Sequence, residues 1–144
     1  MERNEFLRLL GTAGIAVCAG CSLESCSSSS DPAPSGNPGP SGIDFTLDLT
    51  APANTALNSD GGFVYNSGVI VVCLSASLKV YTAVSQACTH QGTTIGFDAA
   101  NGNFLCPAHG SRFSTNGAVV NGPAATSLRK FNTSLTGTNL RVFA

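Results

Sequence analysis

Cys88-Thr89-His90-Gln91-Gly92 and Cys106-Pro107-Ala108-His109-Gly110-Ser111 are the two stretches on which the reading of this 144-residue chain turns. They hold both histidines of the sequence, each separated from a cysteine by one or two residues. Between them, Thr94 to Phe97 and Asn103 to Cys106 flank Asn101-Gly102, and an Asn-Gly pair is favoured in tight hairpins. A hairpin turning there brings the two stretches to the same end. Two thiolates and two imidazoles on paired loops then form a mixed sulfur and nitrogen donor set for a metal centre.

Two centres use such donors. One is a tetrahedral zinc that staples two loops; the other is a [2Fe–2S] cluster with two cysteines on one iron and two histidines on the other. Zinc spacing usually sets cysteine beside cysteine and histidine beside histidine. Here unlike residues pair, and a single residue splits the first pair, which favours the cluster; the zinc-binding module stays as the alternative.

On these residues the chain resembles the Rieske iron–sulfur family, whose pattern is Cys-x-His, a hairpin, then Cys-x-x-His. The likeness covers Ile43 to Ala144. It implies an all-β fold, an antiparallel β-sandwich or barrel with a small cluster-binding subdomain formed by two loops. It also implies one cluster with Cys88 and Cys106 on the inner iron, and His90 and His109 on the solvent-facing iron. Gly92, Pro107, Gly110, Ser111, Phe113 and Pro123 would surround it, with Gly122-Pro123-Ala124 as a proline loop over it and the Ser111 hydroxyl aimed at a bridging sulfide.

Two features depart from the high-potential members of that family. Thr93 and Ala108 stand where those proteins carry a disulfide, and Phe113 stands where they carry a tyrosine that donates to a cysteine sulfur. Neutral imidazoles in place of two thiolates lower the cost of adding an electron. Rieske potentials accordingly lie at roughly −150 to +300 mV, against about −400 mV for plant-type ferredoxins. Hydrogen bonds to sulfur raise the potential further. With Ser111 present and the tyrosine and disulfide absent, the expectation is a value in the middle of that range.

The amino end reads differently. Leu9 to Gly20 is a short apolar run behind Arg3 and Arg8, the size of a signal-peptide core and short for a membrane span. Ala19-Gly20-Cys21 resembles a bacterial lipobox, with Cys18 in place of the usual aliphatic residue, so Cys21 is the expected lipidation site. Arg3-Asn4-Glu5-Phe6-Leu7-Arg8 resembles a twin-arginine export motif without its second arginine. Residues 21–42 are dominated by Ser, Pro and Gly and cannot bury enough apolar surface to offset their ordering, so they read as a flexible tether. The expected organisation is a signal peptide over 1–20, a lipidated tether over 21–42 and the cluster domain over 43–144.

Seven basic residues against eight acidic ones, with no basic patch, exclude nucleic acid as a partner. Runs such as Val69 to Leu74 and Val80 to Val84 read as strands, and no segment of twelve or more residues within Ile43 to Ala144 has helical periodicity with caps. Cys73 reads as a small core residue. Asp44, Asp48, Asp60 and Asp98 read as solvated turn or edge residues, and Arg112 as a surface arginine that could steer a partner. Both histidines are committed, so no Ser-His-Asp arrangement is available and no catalytic residue is assigned.

The functional expectation is one-electron transfer at the membrane surface outside the cytoplasm, by an exported, membrane-anchored lipoprotein on the periplasmic side or cell surface. The redox partners implied are a cytochrome or a membrane dehydrogenase or quinol system. The competing readings are an electron-transfer subunit of a quinol-oxidising or other membrane oxidoreductase complex, and the structural zinc module.

Overall fold

Val69–Ser75 reads Val-Ile-Val-Val-Cys-Leu-Ser, a near-continuous apolar run, because both faces of the strand it forms are buried. Val69, Val71 and Cys73 enter one core with Leu47, Phe131, Leu140 and Val142. Ile70 and Val72 enter a second core with Ile95, Phe104 and Phe113. Side chains alternate across a strand. One strand therefore joins two hydrophobic bodies. The computed structural model describes residues 39–144. Cys18, Cys21, Cys26, the signal segment and residues 21–38 of the tether lie outside the described residues.

Among the described residues, ten strands make two antiparallel sheets. They are β1 (Asp44–Asp48), β2 (Phe63–Asn66), β3 (Val69–Ser75), β4 (Val80–Ser85), β5 (Gly96–Asp98), β6 (Asn103–Leu105), β7 (Arg112–Phe113), β8 (Val119–Asn121), β9 (Lys130–Thr136) and β10 (Asn139–Phe143). The larger sheet has the order β1-β10-β9-β4-β3-β2 and curls into a half-barrel around the first core. The smaller has the order β5-β6-β7-β8. All-β architecture is thus confirmed. On β10 the alternation is plain: Leu140 and Val142 are buried while Asn139 and Arg141 are exposed.

The small sheet is an insertion. The chain leaves the large sheet at Ser85 and returns at Lys130, and β4 and β9 pair directly as Ala83↔Phe131 and Val84↔Lys130. A backbone bond from Ser85 N–H to Arg129 C=O, 2.8 Å, closes the neck. Thr82 is buried in β4 and donates to the Thr115 carbonyl at 2.8 Å, tying the large sheet to the turn between β7 and β8. Tyr65 on β2 reaches the Ile95 carbonyl at 2.8 Å from the other side.

Three local features were not read from the sequence. The β5–β6 hairpin pairs Phe97↔Phe104 and Asp98↔Asn103, so its loop has four residues and the Asn-Gly pair ends it. The two-residue turn is instead at Ser67-Gly68, between Asn66↔Val69, with φ of 50° and 80°. A serine there hides the signal that asparagine would have given. Pro52–Asn58 forms a 3-10 helix whose Leu57 is fully buried; seven residues are too few to show a helical period.

Ile70 carries the contact between the large sheet and the second core. Ile70→Ala is expected to destabilise the domain by about 2–5 kcal/mol in chemical denaturation.

Candidate metal centre

Both Cys-His stretches close by the same backbone scheme. Cys88 N–H donates to Thr93 C=O at 2.8 Å, and Gly92 N–H returns to Cys88 C=O at 2.7 Å. Cys106 N–H donates to Ser111 C=O at 2.8 Å, and Gly110 N–H returns to Cys106 C=O at 3.0 Å. The chain reverses each time through a glycine at φ 77°, a left-handed conformation in which any other residue would be strained. Gly92 and Gly110 are thus backbone requirements of the two loops. Histidine falls two residues after the first cysteine and three after the second.

The small sheet brings the loops together. Loop 88–93 runs through Ile95 into β5, and β6 ends at Leu105, immediately before Cys106. Loop 106–111 leads directly into β7. Cys88 and Cys106 are each 1% exposed and belong to the same second core. Burial pushes the Cys88 thiol up from its ordinary value; the His90 backbone N–H opposes this and the neighbouring Cys106 adds to it. His90 is half-buried and His109 exposed, with ring centroids 4.9 Å apart and planes at 90°.

The residues fit a two-iron group. His90 Nδ1 is buried without a hydrogen-bond partner. An uncompensated polar nitrogen costs free energy that a metal bond removes. Two thiols lie buried in one core, and the His90 and His109 rings meet edge to face. A buried thiol pair and a neighbouring imidazole pair match the two-cysteine, two-histidine donor set of a two-iron group.

A third segment completes the surround. Ala124 N–H donates to Ser111 Oγ at 3.0 Å in a fully buried site, so the serine's own proton is free to point elsewhere. Thr89, also buried, donates to the Thr126 carbonyl at 2.6 Å. Asn121 reaches the Gly110 carbonyl at 3.5 Å. The proline loop Gly122-Pro123-Ala124 is thereby fastened to both Cys-His loops, with Pro123 exposed and Ala124 buried. Pro107 is exposed beside Cys106. Phe113 is fully buried in the second core and has no group to donate.

Sequence reasoning missed one part of the site. Asp98 is a half-buried partner of Arg112, whose Nη1 donates to Asp98 Oδ2 at 3.0 Å and to Asn103 Oδ1 at 2.8 Å. This corrects the reading of Asp98 as a solvated residue and of Arg112 as a free surface charge. The bracket crosses β5, β6 and β7, the three strands that carry the two loops. Asn101 and then Arg112 hold the Asp98 carboxyl below the usual carboxylate range. A lowered carboxylate pKa stabilises the fold above the ordinary value, and that contribution is lost as pH falls through the lowered one. Metal release, followed by loss of visible absorbance, should therefore accelerate in that acid range. Asp98→Asn should speed release severalfold at neutral pH, and an unchanged rate would count against the bracket.

Comparison with known proteins accords with this geometry. The Rieske [2Fe-2S] domain family matches residues 53–132, more than half of the chain. The iron-sulfur subunit 1 of the chloroplast cytochrome b6-f complex of Nicotiana tabacum is 42% identical over 59 residues, 41% of this chain and 25% of that protein. The corresponding subunit of Prochlorococcus marinus (strain AS9601) is 51% identical over 41 residues, 28% of this chain and 23% of that protein. The matched stretch thus spans about a quarter of the length of these curated relatives. Among solved structures, the plasma membrane Rieske protein PetC3 of Synechocystis PCC 6803 aligns with a TM-score of 0.50 and 36% identity, over 57% of this chain and 84% of that one. The ferredoxin of carbazole 1,9a-dioxygenase from Nocardioides aromaticivorans IC177 aligns with a TM-score of 0.52 and 25% identity, over 59% and 86%. The chain belongs to the Rieske [2Fe-2S] domain family, an electron-transfer module with a single cluster of that type.

Proposed function

We propose that this protein is a one-electron carrier working at a membrane surface outside the cytoplasm, held there by a lipid on Cys21 through the tether over 21–42. The single observation that carries the reading is the pair of like-folded loops, which bury Cys88 and Cys106, half-bury His90 and leave His109 exposed. Cys88 and Cys106 would hold the inner iron, and His90 and His109 the outer one. The cluster supplies a site that accepts and returns one electron. The chain's own residues do the rest. The second core keeps water from the thiolates, and the exposed His109 edge offers the shortest route to a partner. The Ser111 hydroxyl, fixed by Ala124 N–H, is placed to donate to a sulfide and stabilise the reduced charge.

Likeness to a ferredoxin supports the carrier, and likeness to cytochrome b6-f subunits supports the second reading, a subunit of a membrane oxidoreductase complex. Among the described residues no helix is long and apolar enough to cross a membrane. The lipobox-like Ala19-Gly20-Cys21 supports a lipid as the anchor, and several acyl chains together bind a bilayer durably. A cytochrome or a membrane dehydrogenase or quinol system is the partner proposed.

Low-temperature EPR of the dithionite-reduced full-length protein is expected to give the rhombic signal of a mixed-ligand [2Fe–2S] centre. Zinc in place of iron and sulfide, after cluster assembly has been shown to work, would overturn the assignment. Ser111→Ala should lower the midpoint potential, read by potentiometric titration. Cys21→Ser should move the protein from the membrane to the soluble fraction of the producing cell.

A further inference from the structure

The tether joins the domain at the neck. A Cβ on Gly39 would stand 3.0 Å from the Ser85 side chain and 3.4 Å from that of Arg129. On the same side Gln86 N–H donates to the Gly68 carbonyl at 2.9 Å, and Cys88 follows two residues later. The root of the tether and the first ligand loop therefore share one end of β3 and β4. At the other end residues 76–79 join the two strands, about 20 Å away along the seven residues of β3. Gly61 N–H donates to the Cys73 carbonyl at 2.8 Å, and a Cβ on Gly61 would meet Ala99 at 2.5 Å. The β5–β6 turn, on the side of the small sheet away from the Cys-His loops, thus lies towards that same far end.

The far turn exposes apolar side chains. Leu78 is 76% exposed, the highest value of any large hydrophobic residue among the described residues, and Val80 is 43% exposed. Ala99 and Ala100 are exposed as well. Lys79 supplies one positive charge, and the nearby Asp60 carboxylate, which accepts from Ala76 N–H at 2.6 Å, supplies one negative charge. Scattered exposed hydrophobics are ordinary, but two at the tip of one hairpin are placed to meet a flat surface first. They are too few to hold a protein on a bilayer. On a chain already anchored to one, the contact is intramolecular and needs little affinity of its own. Residues 21–38 span at most about 60 Å, well over the length of β3, so the lipid alone does not choose which end faces the bilayer.

We propose that the turn bearing Leu78 and Val80 rests in the headgroup layer of the bilayer and holds the cluster end away from it. This rests on the reading of Cys21 as the lipid anchor. Leu78 and Val80 leave water for the acyl boundary, while the Lys79 ammonium stays among the headgroups at the end of its apolar stem. His90 and His109 are then offered to the aqueous side, and electron partners reach the cluster from water and not from the membrane plane.

The chain has no tryptophan, so a single introduced one reports without background. Leu78→Trp and Val120→Trp mark the two ends, since Val120 is 60% exposed and its neighbour Asn121 bonds the Gly110 carbonyl. The full-length lipidated holoproteins are bound to phosphatidylcholine vesicles, plain or with nitroxide-labelled lipid, and collected by flotation. Emission from Leu78→Trp should shift to the blue on binding and fall severalfold with nitroxide lipid, at low and high salt alike. Emission from Val120→Trp should stay nearly unchanged. Adding Leu78→Ser and Val80→Ser to Val120→Trp should release the orientation and bring on quenching at that end. Equal quenching at the two ends, stronger quenching at Val120→Trp, or a Val120→Trp signal indifferent to the serine changes would overturn the proposal. Protein that fails to float would instead strike the Cys21 reading, and the proposal falls with it.

Discussion

The structure depends on one constraint: donor groups of both loops, the Cys88 and Cys106 thiols and His90 Nδ1, must leave water before any metal compensates them. Cys88 and Cys106 are almost wholly buried, and His90 Nδ1 is buried without a partner. Each of these is costly alone. The surrounding polypeptide holds them in place by backbone means, with a reciprocal pair of bonds about each cysteine and a glycine at positive φ to turn the chain back. Metal binding and the ordering of these loops are therefore one equilibrium, since the free energy of ligation is also the free energy that fixes the donors.

That local arrangement needs a rigid support, and the two-sided burial of β3 provides it. A strand wet on one face could hold the half-barrel core but would leave the small sheet unattached. Because Ile70, Val72 and Val84 also face Phe104 and Phe113, the insertion is packed onto the large sheet over its own hydrophobic core. Thr82, Tyr65 and the Ser85–Arg129 bond then fix its orientation with directional contacts. Nonpolar contact gives the attachment and hydrogen bonds give the register.

The donor loops were legible because metal ligation demands particular residue types at short spacing. The β3 run was legible because strands buried on both faces lose the polar alternation. Less legible was anything set by pairs distant in sequence. Nothing in Asp98 alone distinguishes it from Asp44 or Asp60; its role appears only when β5, β6 and β7 align it with Asn103 and Arg112. The Ser67-Gly68 turn was hidden because serine is a weak marker of positive φ, whereas Asn101-Gly102 advertised a tight turn and closes a four-residue loop. The Thr89–Thr126 and Ser111–Ala124 bonds join residues 37 and 13 apart, beyond the reach of local pattern.

The same long-range contacts bear on the missing disulfide. With Thr93 and Ala108 where cysteines could have bridged the loops, the constraint between them is shared among weaker links. These are the proline segment fastened to Thr89, Gly110 and Ser111, and the Arg112 bracket across the strands behind. A covalent bridge holds whatever the state of the metal. Hydrogen bonds and an ion pair hold only while the loops are close, so they cooperate with ligation and do not replace it. Both loops should thus be well ordered with the cluster and loosen together without it, while the half-barrel, whose core contains none of the donors, stays folded.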